Sequence, residues 1–361
     1  MSHLQASNLF SVKGLVVILT GGGSGKHKPA SLFAIMFSSF SSLRGDGMTP
    51  SLHSIEKRTA APQGTKRKQK TSHTSPVQKL TYTLPGLGRM MAHTLDANGA
   101  SKIFIIGRRL EALQETVTQS LNNSIIPIQA DISSKASLEA AYQTIVAQTD
   151  HVDLLIANSG ILGPNAAPPP PKPDDSLPSL SEVREQLWSV STEGFTKVFD
   201  VNVTGAYYTV LAFLPLLEAA NKRRPAAVKQ VSAPTAQVII TTSIAGFNRK
   251  VPVSAAYNLS KSAANHLVKL LSTTLSAYDI RVNGIAPGIY LSDMSMPNFE
   301  TGDKGVSDGS FPREKIPLTR AGGEEDIAGL ILYMASAAAG YLNGNITITD
   351  GGRLANAPAT Y

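Results

Sequence analysis

The sequence predicts an α/β fold: one doubly wound, Rossmann-type domain with about seven parallel strands and helices on both faces of the sheet. Three observations carry this. Short runs rich in Val, Ile and Leu alternate with longer helical patterns, which is how βαβ units read. The first of those runs enters a glycine cluster, Gly21-Gly22-Gly23-Ser24-Gly25, where such a sheet turns into its first helix. Hydrophobic residues make up 42% of 361, enough to fill a sizeable core.

The elements follow in order. A strand over 15–20 (LVVILT) is continuously apolar, which suits a strand buried on both faces. Helical order resumes at Gly86-Leu87-Gly88, with a helix over 87–98, a strand over 102–106 and a helix over 110–121. Next come a strand over 125–128, a helix over 134–147 and a strand over 152–157. Residues 163–178 hold four consecutive prolines, Pro168 to Pro171, and read as an exposed loop. A long helical region over 182–221 carries a break near Ser191. A strand over 237–242, a helix over 255–278 and a strand over 281–285 follow, then an irregular stretch over 287–317. A helix over 324–335 and a strand over 345–349 close the domain, and no internal repeat is evident.

Composition removes several classes of function. There is no cysteine, hence no disulfide framework, thiolate metal site or cysteine nucleophile. No apolar stretch approaches the roughly 20 residues of a bilayer span, and residues 1–13 lack a secretory pattern. A soluble cytoplasmic protein with no membrane partner is the expectation. The formal charge of +7 points toward nucleic acid only until it is located. Residues 26–86 hold ten Lys/Arg against Asp46 and Glu56, so that segment carries +8 and the other 300 residues carry −1. The body is not basic, and no nucleic-acid partner is expected for it.

The chemistry-bearing residues begin at the glycine turn. Glycine is required there because the backbone turns tightly and must approach a phosphate closely. Joining Gly25 directly to Leu87 gives T-G-G-G-S-G-L-G, a complete turn, whereas the chain as written separates its halves. Further on, Tyr257 and Lys261 lie four apart in a helical pattern and face the same way. A phenol with a pKa near 10 is a poor acid–base group at neutral pH, and a neighbouring ammonium should lower it.

The ordered set of motifs resembles the short-chain dehydrogenase/reductase family. It comprises Thr20-Gly21, Gly25 and Gly88; Asp131-Ile132; Asn158-Ser159-Gly160; Asn202; Ser243; Tyr257-x-x-x-Lys261; and Pro287-Gly288. The likeness covers essentially all 300 residues outside 26–86, and the loop before Trp188 together with Ser243–Lys250 is similar to fungal members. The resemblance implies Tyr257 as proton donor to a carbonyl or base toward an alcohol. It implies that Lys261 lowers the pKa of Tyr257 and holds the nicotinamide ribose. Ser243 would bind the substrate oxygen and Asn202 would anchor a relay water. Thr20, Gly21, Gly25, Leu87, Gly88, Asp131, Ile132, Asn158, Gly160, Pro287, Gly288 and Ser292 would line the cofactor, Ser292 standing where the family has a threonine. Two departures appear. The family's Asn-Asn-Ala-Gly stands here as Ala157-Asn158-Ser159-Gly160, so one amide is lost and Asn158 keeps the main role, and Ser243 lies one position further from Tyr257 than is usual, which leaves Thr242 as a rival. The strand over 102–106 runs into Gly107-Arg108-Arg109 with no carboxylate. That favours NADP (NADPH) over NAD, with Arg108 the first phosphate contact and Arg109 the second. No metal is implied. A homodimer or homotetramer is, through the long helices or the last strand.

Residues 26–86 read as a retained intron. They are foreign in charge and pattern, and their removal restores the turn in 300 residues. Gly25-Lys26 can encode a splice donor and Pro85-Gly86 an acceptor. The rival is a genuine insertion, whose loop closure costs only about 3.6 kcal/mol. Translated, the segment should impair cofactor binding. Its KRKQK cluster (residues 66–70) by itself would pass for a nuclear or nucleic-acid patch.

The functional expectation is an NADP-dependent reductase of a ketone or 3-oxoacyl substrate, reversible as an alcohol dehydrogenase, with residues 294–317 as a substrate lid. The alternative is a catalytically silent nucleotide-binding protein, which an interrupted turn would allow.

Overall fold

The computed structural model describes residues 4–23, 86–224, 234–292, 295, 309 and 311–360. The segment 26–86, apart from Gly86, and the turn residue Gly25 lie outside the described residues, as do 294, 296–308 and 310 of the expected lid. The chain divides into two compact units. One comprises Met1–Lys28, Thr83–Pro169 and Pro178–Tyr361; the other comprises Pro29–Tyr82 and Pro170–Leu177. In the described part of the second unit, Asp174 accepts hydrogen bonds from the amide (3.0 Å) and hydroxyl (2.6 Å) of Ser176, closing a tight turn.

The first unit is built on seven parallel strands: β1 (Val16–Thr20), β2 (Lys102–Gly107), β3 (Ile125–Gln129), β4 (Leu154–Ala157), β5 (Gln237–Thr241), β6 (Arg281–Pro287) and β7 (Ile346–Thr349). Their order is β3-β2-β1-β4-β5-β6-β7. Its helices are α1 (Ala6–Leu9), α2 (Leu87–Ala97), α3 (Leu110–Thr118), α4 (Lys135–Val146), α5 (Leu180–Trp188), α6 (Thr192–Phe199), α7 (Ala206–Lys222), α8 (Ala255–Leu275) and α9 (Glu324–Ala335). Side chains alternate across each strand, so Val16 and Ile18 join one core while Val17 and Leu19 join the other. The first core packs β-sheet residues against α4, α7 and α8 through Leu138, Phe213, Leu217 and Val268. The second packs the opposite face against α2, α3 and α9 through Met91, Leu95, Leu113 and Ile331. Burial on both faces explains why β1 and β4, in the middle of the sheet, read as nearly unbroken apolar runs.

One expectation fails. The helical run Thr192–Lys222 is long and apolar enough, by length and composition, to cross a membrane. Its apolar side is spent elsewhere: Val198, Val210, Phe213 and Leu217 are fully buried in the unit. The predicted break near Ser191 is there, with the Ser191 hydroxyl accepting from the Gly194 amide at 3.0 Å to cap α6. A π-helical stretch, Asp200–Gly205, then interrupts the run before α7.

The strand order reverses between β1 and β4, so a crevice opens at the carboxyl ends of the strands there. Every site residue described below belongs to the first unit.

Candidate active site

β1 delivers the chain to Gly21, whose φ of +77° is a conformation that favours glycine. α2 starts at Leu87, with Gly86 as an N-cap that offers no side-chain cap. The two halves of the turn meet: a Cβ on Gly88 would lie 2.3 Å from the carbonyl oxygen of Gly21. Only glycine at both positions permits this approach. The turn is braced from β4. The Thr20 hydroxyl accepts from the amides of Asn158 (3.0 Å) and Ser159 (3.1 Å), and the Asn158 side-chain amide donates to the Thr20 carbonyl at 3.1 Å. Thr20 is consequently buried and off the cavity wall, which corrects its assignment as a cofactor contact. Asn158, the amide that remains of the family's pair, supplies both a backbone and a side-chain bond to this brace.

A cavity of about 400 Å³ runs along the strand ends. On the β2–β3 side it is lined by Arg108, Arg109, Asp131 and Ile132; in the middle by Gly21, Leu87, Gly88, Asn158 and Gly160. On the β5–β6 side it is lined by Ser243, Tyr257, Lys261, Pro287, Gly288 and Ser292. Sequence reasoning thus named residues that the fold gathers around one space. That space is long and glycine-lined, and its middle has no room for side chains, which fits a dinucleotide. Burial pushes the Asp131 carboxyl upward, but hydrogen bonds from the Ser133 hydroxyl and amide outweigh it and hold Asp131 below the usual carboxylate range.

At the β5–β6 end, the Ser254 hydroxyl caps α8 by accepting from the Tyr257 amide at 3.1 Å. One turn along, Lys261 places Nζ 5.9 Å from the centroid of the Tyr257 ring. Nζ donates to the Thr241 carbonyl at 2.9 Å, and burial lowers the pKa of Lys261 to about 8. The Tyr257 phenol departs from expectation. Burial pushes its pKa up, and the opposing hydrogen bond with Ser243 does not reverse that. The expected lowering is outweighed by desolvation of the buried phenol, the largest influence on it. Ser243 and Thr242 both line the cavity, but their hydroxyls differ: that of Thr242 donates to the Ile285 carbonyl at 3.1 Å, whereas Ser243 bonds Tyr257.

Asn202 sits in the π-helical stretch and is off the cavity wall. Its Oδ1 accepts from the Ile161 amide at 2.8 Å, and Nδ2 donates to the Ile161 carbonyl and to the Ser260 hydroxyl, both at 3.0 Å. The Ser260 hydroxyl in turn donates to the Tyr257 carbonyl at 2.8 Å. Sequence reasoning missed Tyr290, a buried wall residue whose phenol lies 2.5 Å from the Thr349 hydroxyl. It sits inside an apolar stretch with no spacing that would mark it.

The family model described as enoyl-(acyl carrier protein) reductase matches residues 83–353. A short-chain dehydrogenase/reductase of Diaporthe leptostromiformis, PhomF′, is 39% identical over 286 residues, which are 79% of this chain and 93% of that protein. The chain belongs to the short-chain dehydrogenase/reductase family. Within that family it is also similar to a Pseudomonas aeruginosa protein named rhamnolipids biosynthesis 3-oxoacyl-(acyl-carrier-protein) reductase, at 30% identity over 268 residues, 74% of this chain and 91% of the other. Among solved members, the Pseudomonas aeruginosa RhlG/NADP active-site complex matches with a TM-score of 0.65 and 25% identity, covering 96% of this chain and 98% of that one. PhomF′ is the shorter protein, so this short-chain dehydrogenase/reductase carries length that PhomF′ lacks.

Proposed function

We propose that this family member is an NADP-dependent reductase of a ketone or 3-oxoacyl substrate, reversible as an alcohol dehydrogenase. The observation that carries the reading is the convergence of Ser243, Tyr257 and Lys261 on one end of the glycine-lined cavity. Gly21, Leu87 and Gly88 would hold the pyrophosphate, with Asp131, Ile132, Asn158 and Gly160 along the adenosine half and Pro287, Gly288 and Ser292 at the nicotinamide. Arg108 and Arg109 stand exposed at the end of β2, where a 2′-phosphate would meet guanidinium rather than carboxylate. The bound nicotinamide supplies the hydride. Ser243 orients the substrate oxygen, and Tyr257 gives it a proton, or takes one from the alcohol in the reverse direction. A pKa raised by burial keeps the phenol protonated at neutral pH, the state a reductase needs before turnover. Lys261 stands over the ring to stabilise the phenolate that forms, and holds the ribose. Asn202 acts by position, tying Ile161 and, through Ser260, the Tyr257 backbone.

A cytoplasmic homodimer or homotetramer acting on a diffusible carbonyl compound completes the reading. Leu259 and Leu270 support the oligomer, since both are about half exposed and lie three turns apart on one face of α8. The test is NADPH consumption against a panel of ketones and 3-oxoacyl thioesters, with NADH alongside. Turnover with NADPH preferred is the expected result; turnover with neither cofactor would reject the reading.

A further inference from the structure

We propose that Arg89 and Thr116 form a staple that holds the two halves of the glycine turn in binding register across residues 24–85, so that the full-length chain binds its nicotinamide cofactor despite the interruption. The inference rests on the reductase reading above and reverses the expectation that the segment impairs binding.

In an uninterrupted turn, a few bonds fix the distance between the end of β1 and the first turn of α2. Here the covalent path is far longer, and the entropy of closing such a loop changes only logarithmically with its length, so the chain itself specifies almost nothing about register. The close approach of Gly88 to the Gly21 carbonyl permits the turn but supplies no attraction that would hold it. Core packing of Met91 and Leu95 holds α2 against the sheet, and a polar link aimed at the turn itself comes from the residue after Gly88. Arg89 is 1% exposed, and its guanidinium reaches sideways from α2 into α3. Nε donates to the Thr116 hydroxyl at 3.0 Å, and one terminal nitrogen lies 3.4 Å from the Ala112 carbonyl and 3.0 Å from a Glu115 carboxylate oxygen.

Thr116 completes the link. Its hydroxyl has one proton, with the Gly22 carbonyl at 2.7 Å and the Ala112 carbonyl at 3.1 Å as acceptors, and the shorter contact is to the turn. A continuous chain therefore runs from the Arg89 Nε–H to the Thr116 hydroxyl to the Gly22 carbonyl. It connects the α2 side of the turn to the β1 side without passing through residues 24–85. A hydroxyl that accepts from a guanidinium is a better donor onward, so the two bonds reinforce each other. Gly22 also has to be glycine for its carbonyl to sit there, because a Cβ would lie 2.7 Å from the Ile105 Cβ. A buried guanidinium is a costly filling for this space, and an apolar side chain would pack more cheaply. Only arginine, however, presents a fork that meets a hydroxyl, a carbonyl and a carboxylate together. Glu115 balances its charge, so Arg89 serves the phosphate by position and not by attraction.

The experiment is an NADPH titration by cofactor fluorescence of the full chain and of a chain lacking 26–86, each with Thr116→Val, Thr116→Ser, Arg89→Met and Arg89→Lys. Circular dichroism and thermal unfolding accompany every variant. The full chain should bind NADPH. Thr116→Val and Arg89→Met should weaken binding roughly tenfold more in the full chain than in the short one, a coupling of the size contacting groups show. Thr116→Ser should restore affinity, and Arg89→Lys, which keeps the charge but loses the fork, should not. Should Thr116→Val fail to fold, Arg89→Lys decides alone. Equal weakening in both backgrounds, or none in the full chain, would overturn the staple. Binding by the short chain alone would also overturn it while leaving the reductase reading intact. If neither unsubstituted chain binds NADPH or NADH, it is the reductase reading that fails.

Discussion

Replacing Lys261 by methionine should abolish turnover and yet make the protein more stable at neutral pH, by an amount that shrinks as pH rises. Lys261 is 4% exposed, and burial lowers its pKa from the ordinary 10.5 to about 8. A shift of that size corresponds to roughly 3 kcal/mol of destabilisation from holding the charge inside the folded chain. Against this stands the hydrogen bond to the Thr241 carbonyl at 2.9 Å. Its removal leaves a buried acceptor unpaired, at about 1–3 kcal/mol. Methionine fills nearly the same volume, so the net gain at pH 7 is about 0–2 kcal/mol. The pH dependence is the sharper signature. Below pH 8 both folded and unfolded chains are protonated at Lys261, and the burial cost is felt in full. Between about 8 and 10.5 the folded chain sheds the proton while the unfolded chain keeps it, so unfolded binds more protons and wild-type stability rises with pH. The methionine variant lacks this rise. Urea denaturation of both proteins from about pH 7 to 9.5 reads the difference; the upper limit stays below the ordinary tyrosine range, so Tyr257 does not contribute. A stability difference independent of pH would show that Lys261 is not a buried cation and would refute the reasoning.

Gly88→Ala should cost about 1–3 kcal/mol and weaken NADPH binding at least about tenfold, because its Cβ would meet the Gly21 carbonyl at 2.3 Å; calorimetry and a fluorescence titration check the two effects. Ser243→Ala should lower kcat with little change in melting temperature. Thr242→Val should do the reverse, costing about 1 kcal/mol through the lost bond to Ile285 and leaving kcat near wild type. Arg108→Ala should reduce NADPH affinity about tenfold and leave NADH affinity unchanged, with Arg109→Ala weaker in the same direction. An equal loss for both cofactors would assign these arginines to something other than a 2′-phosphate.

The fold was legible because both faces of the central sheet are buried, so β1, β2 and β4 read as apolar runs and the helices between the strands as periodic segments. The site was legible where its residues serve close backbone approach, as Gly21 and Gly88 do, or sit at fixed spacing, as Tyr257 and Lys261 do. Buried polar bracing was not legible. Asp96 ends α2 by accepting bonds from the hydroxyls of Ser120 (2.9 Å) and Ser124 (2.6 Å) and the amide of Leu121 (2.6 Å), all distant in sequence. Arg281 is packed against the Gln237 side chain at 2.6 Å in the same hidden way. Such partners depend on the fold being made first, and no local pattern announces them. The sign at Tyr257 was missed for a related reason: an adjacent ammonium is visible in sequence, whereas the desolvation of both groups is a property of the packed site. The bracing bonds of Thr20, expected to line the cofactor, and of Asn202, expected to anchor a water, are hidden from the sequence in the same way.

The most direct test of the central claim is Tyr257→Phe in the full chain, with NADPH turnover and NADPH affinity measured on the same preparation. If Tyr257 supplies the proton, turnover should fall roughly a hundred- to ten-thousandfold while the dissociation constant for NADPH stays near the wild-type value. Turnover that survives the substitution would mean the proton comes from elsewhere, and the account of the site built on Ser243, Tyr257 and Lys261 would be wrong.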